Sequence, residues 1–155
     1  MFAFLRNKGN EVLAPVSGTC IRMEQVSDTV FSSGMLGNGF AVVSTGDMVL
    51  APVAGEIVMI ADTRHAFAIR SKDGVEVLVH IGLDTVNLNG EGFSVLKRAG
   101  QMVKAGAAIV QIDRPFMERK GVDLTTVVVF TNGGYSDVEI SAYGKQVSAG
   151  AVVIS

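Results

Sequence analysis

Apolar residues recur at every second position along much of the chain. Glu56-Ile-Val-Met-Ile60, His65-Ala-Phe-Ala-Ile-Arg70, Val75-Glu-Val-Leu-Val-His-Ile81, Ala108-Ile-Val-Gln-Ile112, Val127-Val-Val-Phe130 and Ala151-Val-Val-Ile154 predict strands. Helical spacing is scarce. Phe93-Ser-Val-Leu-Lys-Arg-Ala99 predicts two helical turns ended by Gly100, and Pro115-Phe-Met-Glu-Arg-Lys120 predicts another short helix, started by Asp113 or Arg114 and ended by Gly121.

Two segments repeat. Val12-Leu-Ala-Pro-Val-Ser-Gly18 returns with one change as Val49-Leu-Ala-Pro-Val-Ala-Gly55, and Gly100-Gln-Met-Val-Lys-Ala-Gly-Ala-Ala-Ile-Val110 returns more loosely as Gly144-Lys-Gln-Val-Ser-Ala-Gly-Ala-Val-Val-Ile154. Neither unit is long enough to own a core. Copies facing each other across a sandwich would bury both. The expected architecture is one all-β domain over residues 12–155, with one or two short helices and a short N-terminal tail over 1–11.

Composition narrows the function. Of 155 residues, 48% are hydrophobic and 18% charged, which suits a well-filled core and excludes intrinsic disorder. Eighteen glycines against three prolines fit many tight turns. The formal charge of 13 − 15 = −2 excludes a strongly basic nucleic-acid footprint. Cys20 is the single cysteine, so no internal disulfide forms and a reducing compartment fits. No apolar run reaches the roughly 18 residues of a membrane span, and Met1–Asn10 lacks the pattern of a secretory leader. The expected location is the cytoplasm.

The two histidines, His65 and His80, flank a hairpin signal centred on Asp73-Gly74. A two-residue turn there sets Lys72 opposite Val75, Phe67 opposite His80 and His65 opposite Gly82. Alternation then puts His65 and His80 on one face as diagonal neighbours, with Cα atoms about 7–8 Å apart. A four-residue loop keeps that parity, and a three-residue loop reverses it. Thr63 shares the face of His65, and Asp84 joins that of His80 if the chain stays extended past Gly82.

Several chemistries compete for this pair. Two imidazoles and the Asp84 carboxylate make a candidate zinc set for a hydrolase, but a catalytic zinc site wants three fixed protein ligands, and neither His-x-His nor His-Glu-x-x-His occurs. No Gly-x-Ser-x-Gly or phosphate-binding glycine loop is present, and nothing brings Cys20 to the histidines. The repeats resemble lipoyl- and biotin-carrier domains, yet Lys104 has no flanking methionines. Histidine as nucleophile remains: a neutral imidazole nitrogen accepts a phosphoryl group and yields it again. No cofactor and no resident metal are expected.

Leu13-Ala-Pro-Val-Ser-Gly18, Asp28-Thr-Val-Phe31, Gly37-Asn-Gly39, Ala51-Pro-Val-Ala-Gly55, Thr63-Arg-His-Ala-Phe67, Gly74-Val-Glu-Val-Leu-Val-His-Ile-Gly-Leu-Asp-Thr-Val86 and Gly90-Glu-Gly-Phe93 carry a resemblance. Together they resemble the glucose-family enzyme IIA component (EIIA type 1) of the bacterial phosphoenolpyruvate–sugar phosphotransferase system, from about Val12 to the C-terminus. The resemblance implies a flattened antiparallel β-sandwich or barrel of duplicated hybrid-motif type. It implies that His80 is phosphorylated on Nε2 by the carrier HPr and passes the group to a cysteine of a sugar-specific IIB domain. Membrane association is then indirect, through the IIC/IIB permease. It further implies that His65 serves onward transfer, that Thr63 orients His65, and that the Gly82 carbonyl orients His80. Asp84 is a supporting candidate, and Val30, Phe31, Phe67 and Val86 are candidates for an apolar docking rim. Ala61, Arg64 and Asn87 depart from the family's usual residues.

Overall fold

The computed structural model describes residues 11–134 and 140–155, so the expected tail lies outside the described residues except for Glu11. Thirteen strands are described: β1 (Val12–Leu13), β2 (Gly18–Arg22), β3 (Asn38–Ser44), β4 (Met48–Leu50), β5 (Gly55–Ile60), β6 (Ala66–Arg70), β7 (Glu76–Ile81), β8 (Phe93–Val95), β9 (Met102–Val103), β10 (Ala108–Ile112), β11 (Thr126–Phe130), β12 (Gln146–Val147) and β13 (Val152–Ile154). Eight form one sheet in the order β12-β2-β3-β11-β7-β6-β5-β9, beside a three-stranded β4-β10-β8 sheet and the pair β1-β13. The sheets stay open at their edges, so the architecture is sandwich-like and not a closed barrel.

The repeats explain how the sheets are locked together. Leu13 N–H donates to the Pro52 carbonyl and Leu50 N–H donates to the Pro15 carbonyl, a reciprocal pair between equivalent positions of the first repeat. Gly150 N–H donates to Ala14 and Gly106 N–H to Ala51, again equivalent positions. Val147 pairs with Gly18 as Val103 pairs with Gly55. Each copy completes the other half through backbone bonds, which is why neither needs its own core.

The main core takes one face of the large sheet: Val77, Val79 and Ile81 of β7, Phe67 and Ile69 of β6, and Val128 and Phe130 of β11 pack with Val49, Val110 and Ile112. A smaller cluster of Met23, Val26, Phe31, Ala41, Val127 and Val129 covers the other face. Residues 127–130 of β11 are therefore buried on both faces, and Thr126 is buried with them. Helix α1 (Thr29–Ser32) belongs to this second cover and is capped by Asp28, whose Oδ1 accepts from Val30 N–H at 2.9 Å. Helix α2 (Arg114–Lys120) matches the expected start and stop: Asp113 Oδ1 accepts from Phe116 N–H, and Gly121 ends it at φ 67°.

Two expectations fail. Phe93–Val95 is strand β8, held by β10 with Phe93 opposite Ile112; an available ladder and burial of the Phe93 ring override the helical spacing. The β6–β7 hairpin pairs Ala66 with His80, Phe67 with Val79 and Arg70 with Glu76, and Ser71 N–H closes it on the Val75 carbonyl at 2.8 Å. The loop is thus Lys72-Asp73-Gly74. Only Gly74 takes positive φ (85°), whereas a two-residue type I′ turn needs it at both central positions. The reversed parity turns Phe67 away from His80 and into the core.

Candidate functional site

His80 and His65 meet at one end of the large sheet. His80 is the penultimate residue of β7, on the face opposite Val79 and Ile81. His65 lies in the hairpin loop between β5 and β6, closed by Ala61 N–H donating to Ala66 O and Arg64 N–H donating to Ala61 O, with Arg64 left-handed at φ 63°. Strand alternation does not govern a loop residue. This is how His65 reaches His80 despite the register: the rings stand edge to face, 4.8 Å between centroids. The Phe31 ring lies against His80 at 5.0 Å.

Both rings are oriented by hydrogen bonds at Nδ1. His80 Nδ1 is 2.8 Å from the Gly82 carbonyl. A carbonyl oxygen only accepts, so Nδ1 carries the proton and Nε2 keeps its lone pair in the neutral ring. His65 Nδ1 is 2.7 Å from Thr63 Oγ1. Burial pushes His80 below its ordinary pKa and the neighbouring His65 pushes the same way, against the Gly82 bond and the charges of Asp28 and Asp84. Burial also lowers His65, opposed by a hydrogen bond with the Thr63 backbone. In both imidazoles the net effect favours the neutral form.

Gly82 has to be glycine. It sits at φ 81°, and a Cβ there would fall 2.5 Å from Thr85 Cγ2 and 2.9 Å from the Asp123 carbonyl oxygen. It also ends the extended run, so Asp84 does not continue along the His80 face. Asp84 is exposed and left-handed at φ 58°, ahead of a 3₁₀ turn over Thr85–Leu88. Its charge reaches His80, but it does not complete a three-ligand set: among the described residues no group of three or more His, Cys, Asp or Glu side chains is placed to hold a metal ion.

The expected rim divides. Val30 and Val86 are each 48% exposed, and Phe31 is buried with one face on His80. Phe67, at 0% exposure in the main core, cannot line a docking surface. Sequence reasoning did not assign a role to Asp28, which caps α1 and acts electrostatically on His80; its signal was the capping position ahead of Thr29-Val-Phe31. An open depression of about 590 Å³ beside α1 is lined by Asp28, Asp84 and Asp123 together with Leu83 and Leu88. Cys20 is buried, and burial raises its thiol to about 11.

The chain is similar to several known proteins. The family model described as phosphoenolpyruvate-dependent sugar phosphotransferase system, EIIA 1, matches residues 10–135. The chain is 43% identical over 147 residues to the glucose-specific EIIA component of this system from Mycoplasma capricolum, covering 95% of each chain. It is 36% identical over 137 residues to a glucoside-specific EIICBA component from Staphylococcus carnosus, covering 88% of this chain and 20% of that one. The solved structure of glucose permease IIA from Mycoplasma capricolum superposes with a TM-score of 0.87 at 42% identity, covering 94% of each chain.

Proposed function

The chain belongs to the EIIA 1 family of the phosphoenolpyruvate-dependent sugar phosphotransferase system, and from that premise we propose that His80 is its phosphoryl-carrying residue. Nε2 attacks the phosphorus of the phosphohistidine on HPr. The new N–P bond forms as the P–N bond to the donor imidazole breaks, and the donor ring departs with its electron pair. In the second transfer a cysteine thiolate of a IIB domain attacks the same phosphorus, and His80 leaves as neutral imidazole. The observation that carries this reading is the 2.8 Å contact of His80 Nδ1 with the Gly82 carbonyl. It leaves Nε2 as the free nucleophile, and it holds the Nδ1 proton while the phosphorylated ring carries positive charge.

His65 is assigned to the oxygens rather than to phosphorus. In the His65 tautomer in which Thr63 Oγ1 donates to Nδ1, Nε2–H is the donor available to a phosphoryl oxygen, a placed dipole that matters most as charge develops. The surroundings favour a protein-borne donor over a free phosphate ester. Asp28 and Asp84 set negative charge around His80, and Arg64 directs its side chain toward Gly90 and the Phe93 carbonyl. A phosphoryl donor must therefore bring its own neutralising groups. Val30 and Val86, exposed in the elements that flank the pair, supply the apolar part of that docking face.

The Staphylococcus carnosus relative carries the matched segment within a longer EIICBA chain, which supports a sugar permease as the acceptor. No helix among the described residues is long and apolar enough to cross a membrane, so membrane association is assigned to that permease. The test is incubation with phosphoenolpyruvate, enzyme I and HPr. The expected result is an acid-labile, base-stable mass gain of one phosphoryl group. A protein that stays unlabelled while HPr is labelled would overturn the reading.

A further inference from the structure

We infer that Asp123 is a positioning residue for His80, acting through the peptide bond between Gly82 and Leu83. The inference rests on the reading of His80 as the phosphoryl acceptor and adds what holds it ready. A trans peptide is a rigid plate whose C=O and N–H point in opposite directions. One end of this plate is the Gly82 carbonyl, which accepts from His80 Nδ1 at 2.8 Å. The other end is Leu83 N–H, which donates to the Asp123 carbonyl at 2.9 Å. The direction of the Gly82 carbonyl, and with it the tautomer of His80, is therefore set by where Asp123 places its own carbonyl.

That placement is built, not incidental. Asp123 Oδ1 accepts from Thr125 N–H at 2.9 Å and from Thr125 Oγ1–H at 2.7 Å. The two bonds fold 123–125 into a tight clasp. The clasp presents the Asp123 carbonyl to Leu83 and the Thr125 carbonyl to Gly82 N–H, at 3.0 Å. The next residue, Thr126, pairs with Ile81 in the β11–β7 ladder, so the clasp continues the sheet past the end of β7 and holds a glycine that would otherwise be free to rotate. The bonds also act in series. Donation from Leu83 N–H polarises the peptide and makes the Gly82 oxygen a better acceptor for the imidazole proton. Asp123 touches neither ring.

The experiment compares Asp123→Ala with Asp123→Asn, whose amide oxygen accepts the same two bonds. The first readout is the ¹⁵N spectrum of the imidazoles in the unphosphorylated protein. Wild type should show His80 entirely as the Nδ1–H tautomer. Asp123→Ala should show a mixture at His80 with His65 unchanged, and phosphoryl acceptance from phospho-HPr slowed about tenfold, the lower end of what loss of an outer hydrogen-bond partner costs imidazole ligands in metal sites. Asp123→Asn should restore both. If Asp123→Ala does not fold, Thr125→Val removes one of the two bonds and should shift the same signal. A single Nδ1–H tautomer in the folded Ala variant, or no rescue by Asn, overturns the proposal. Because the spectrum needs no phosphoryl donor, failure of phosphorylation in wild type would count against the assigned function and not against the clasp.

Discussion

His65 and His80 stand edge to face at 4.8 Å, although the residue opposite His80 in the hairpin is Ala66. The pair is made by a loop reaching over the end of a strand. The two rings have different orienting partners, the Gly82 carbonyl for His80 and Thr63 for His65, while the His65 carbonyl ties its loop to β7 by accepting from Ile81 N–H at 2.7 Å.

These different ring partners predict divided roles. His65→Gln keeps a donor but loses the imidazole's placement. It should still accept the phosphoryl group from HPr, while onward transfer to a IIB partner slows by on the order of 10²–10³, the range for removal of a preorganised donor. Single-turnover rates for the two steps check this. Equal slowing of both steps would contradict the division.

The pH dependence follows from the lowered pKa values of both histidines. Phosphoryl acceptance requires neutral His80, so its rate should stay level as pH falls to about 6.5, the ordinary histidine value, and decline only below it. Stability has a matching sign. A histidine whose folded pKa is lowered adds stability that is complete above its unfolded value and is lost as pH falls from there toward the folded value. Titration by NMR alongside denaturant melts would show both trends. A His80 midpoint above the ordinary value would contradict them.

Asp28 raises the His80 pKa by its charge. Asp28→Asn keeps a good helix cap for α1 and removes that charge, so the His80 midpoint should move further down with little change in melting temperature. An upward or absent shift would show that the Asp28 charge does not raise the His80 value.

Gly82→Ala forces a Cβ against Thr85 and Asp123 at positive φ. The expected cost is about 1–3 kcal/mol, typical of a strained backbone position, together with a disordered His80 tautomer. Denaturant unfolding with imidazole ¹⁵N spectra measures both.

Much of the fold was legible because strand periodicity is local. β5, β7, β10 and β11 fall where alternation or a continuous apolar run placed them, and the repeats pointed to copies facing each other, though not to the backbone bonds of Leu13 with Pro52 and of Leu50 with Pro15 that join them. Strands β2 and β3 escaped because their glycines and mixed polarity blur the period, their stability coming from neighbours distant in sequence. The histidine pair was expected from a register that the protein does not use. Lys72-Asp73-Gly74 makes a three-residue loop, the parity reverses, and the pair survives because His65 lies outside the strand. Phe67 was lost from the rim by the same reversal. Asp84 left the His80 face because Gly82 turns the chain, and Asp123 is silent in sequence because its effect passes through two backbone carbonyls.

The most direct measurement locates the phosphoryl group. After labelling through enzyme I and HPr, ³¹P–¹⁵N correlation on the intact protein should place phosphorus on Nε2 of His80, and His80→Ala should fold normally yet take up no label. Phosphorus on His65, on Nδ1 of His80, or on any residue of a folded His80→Ala protein would contradict the account.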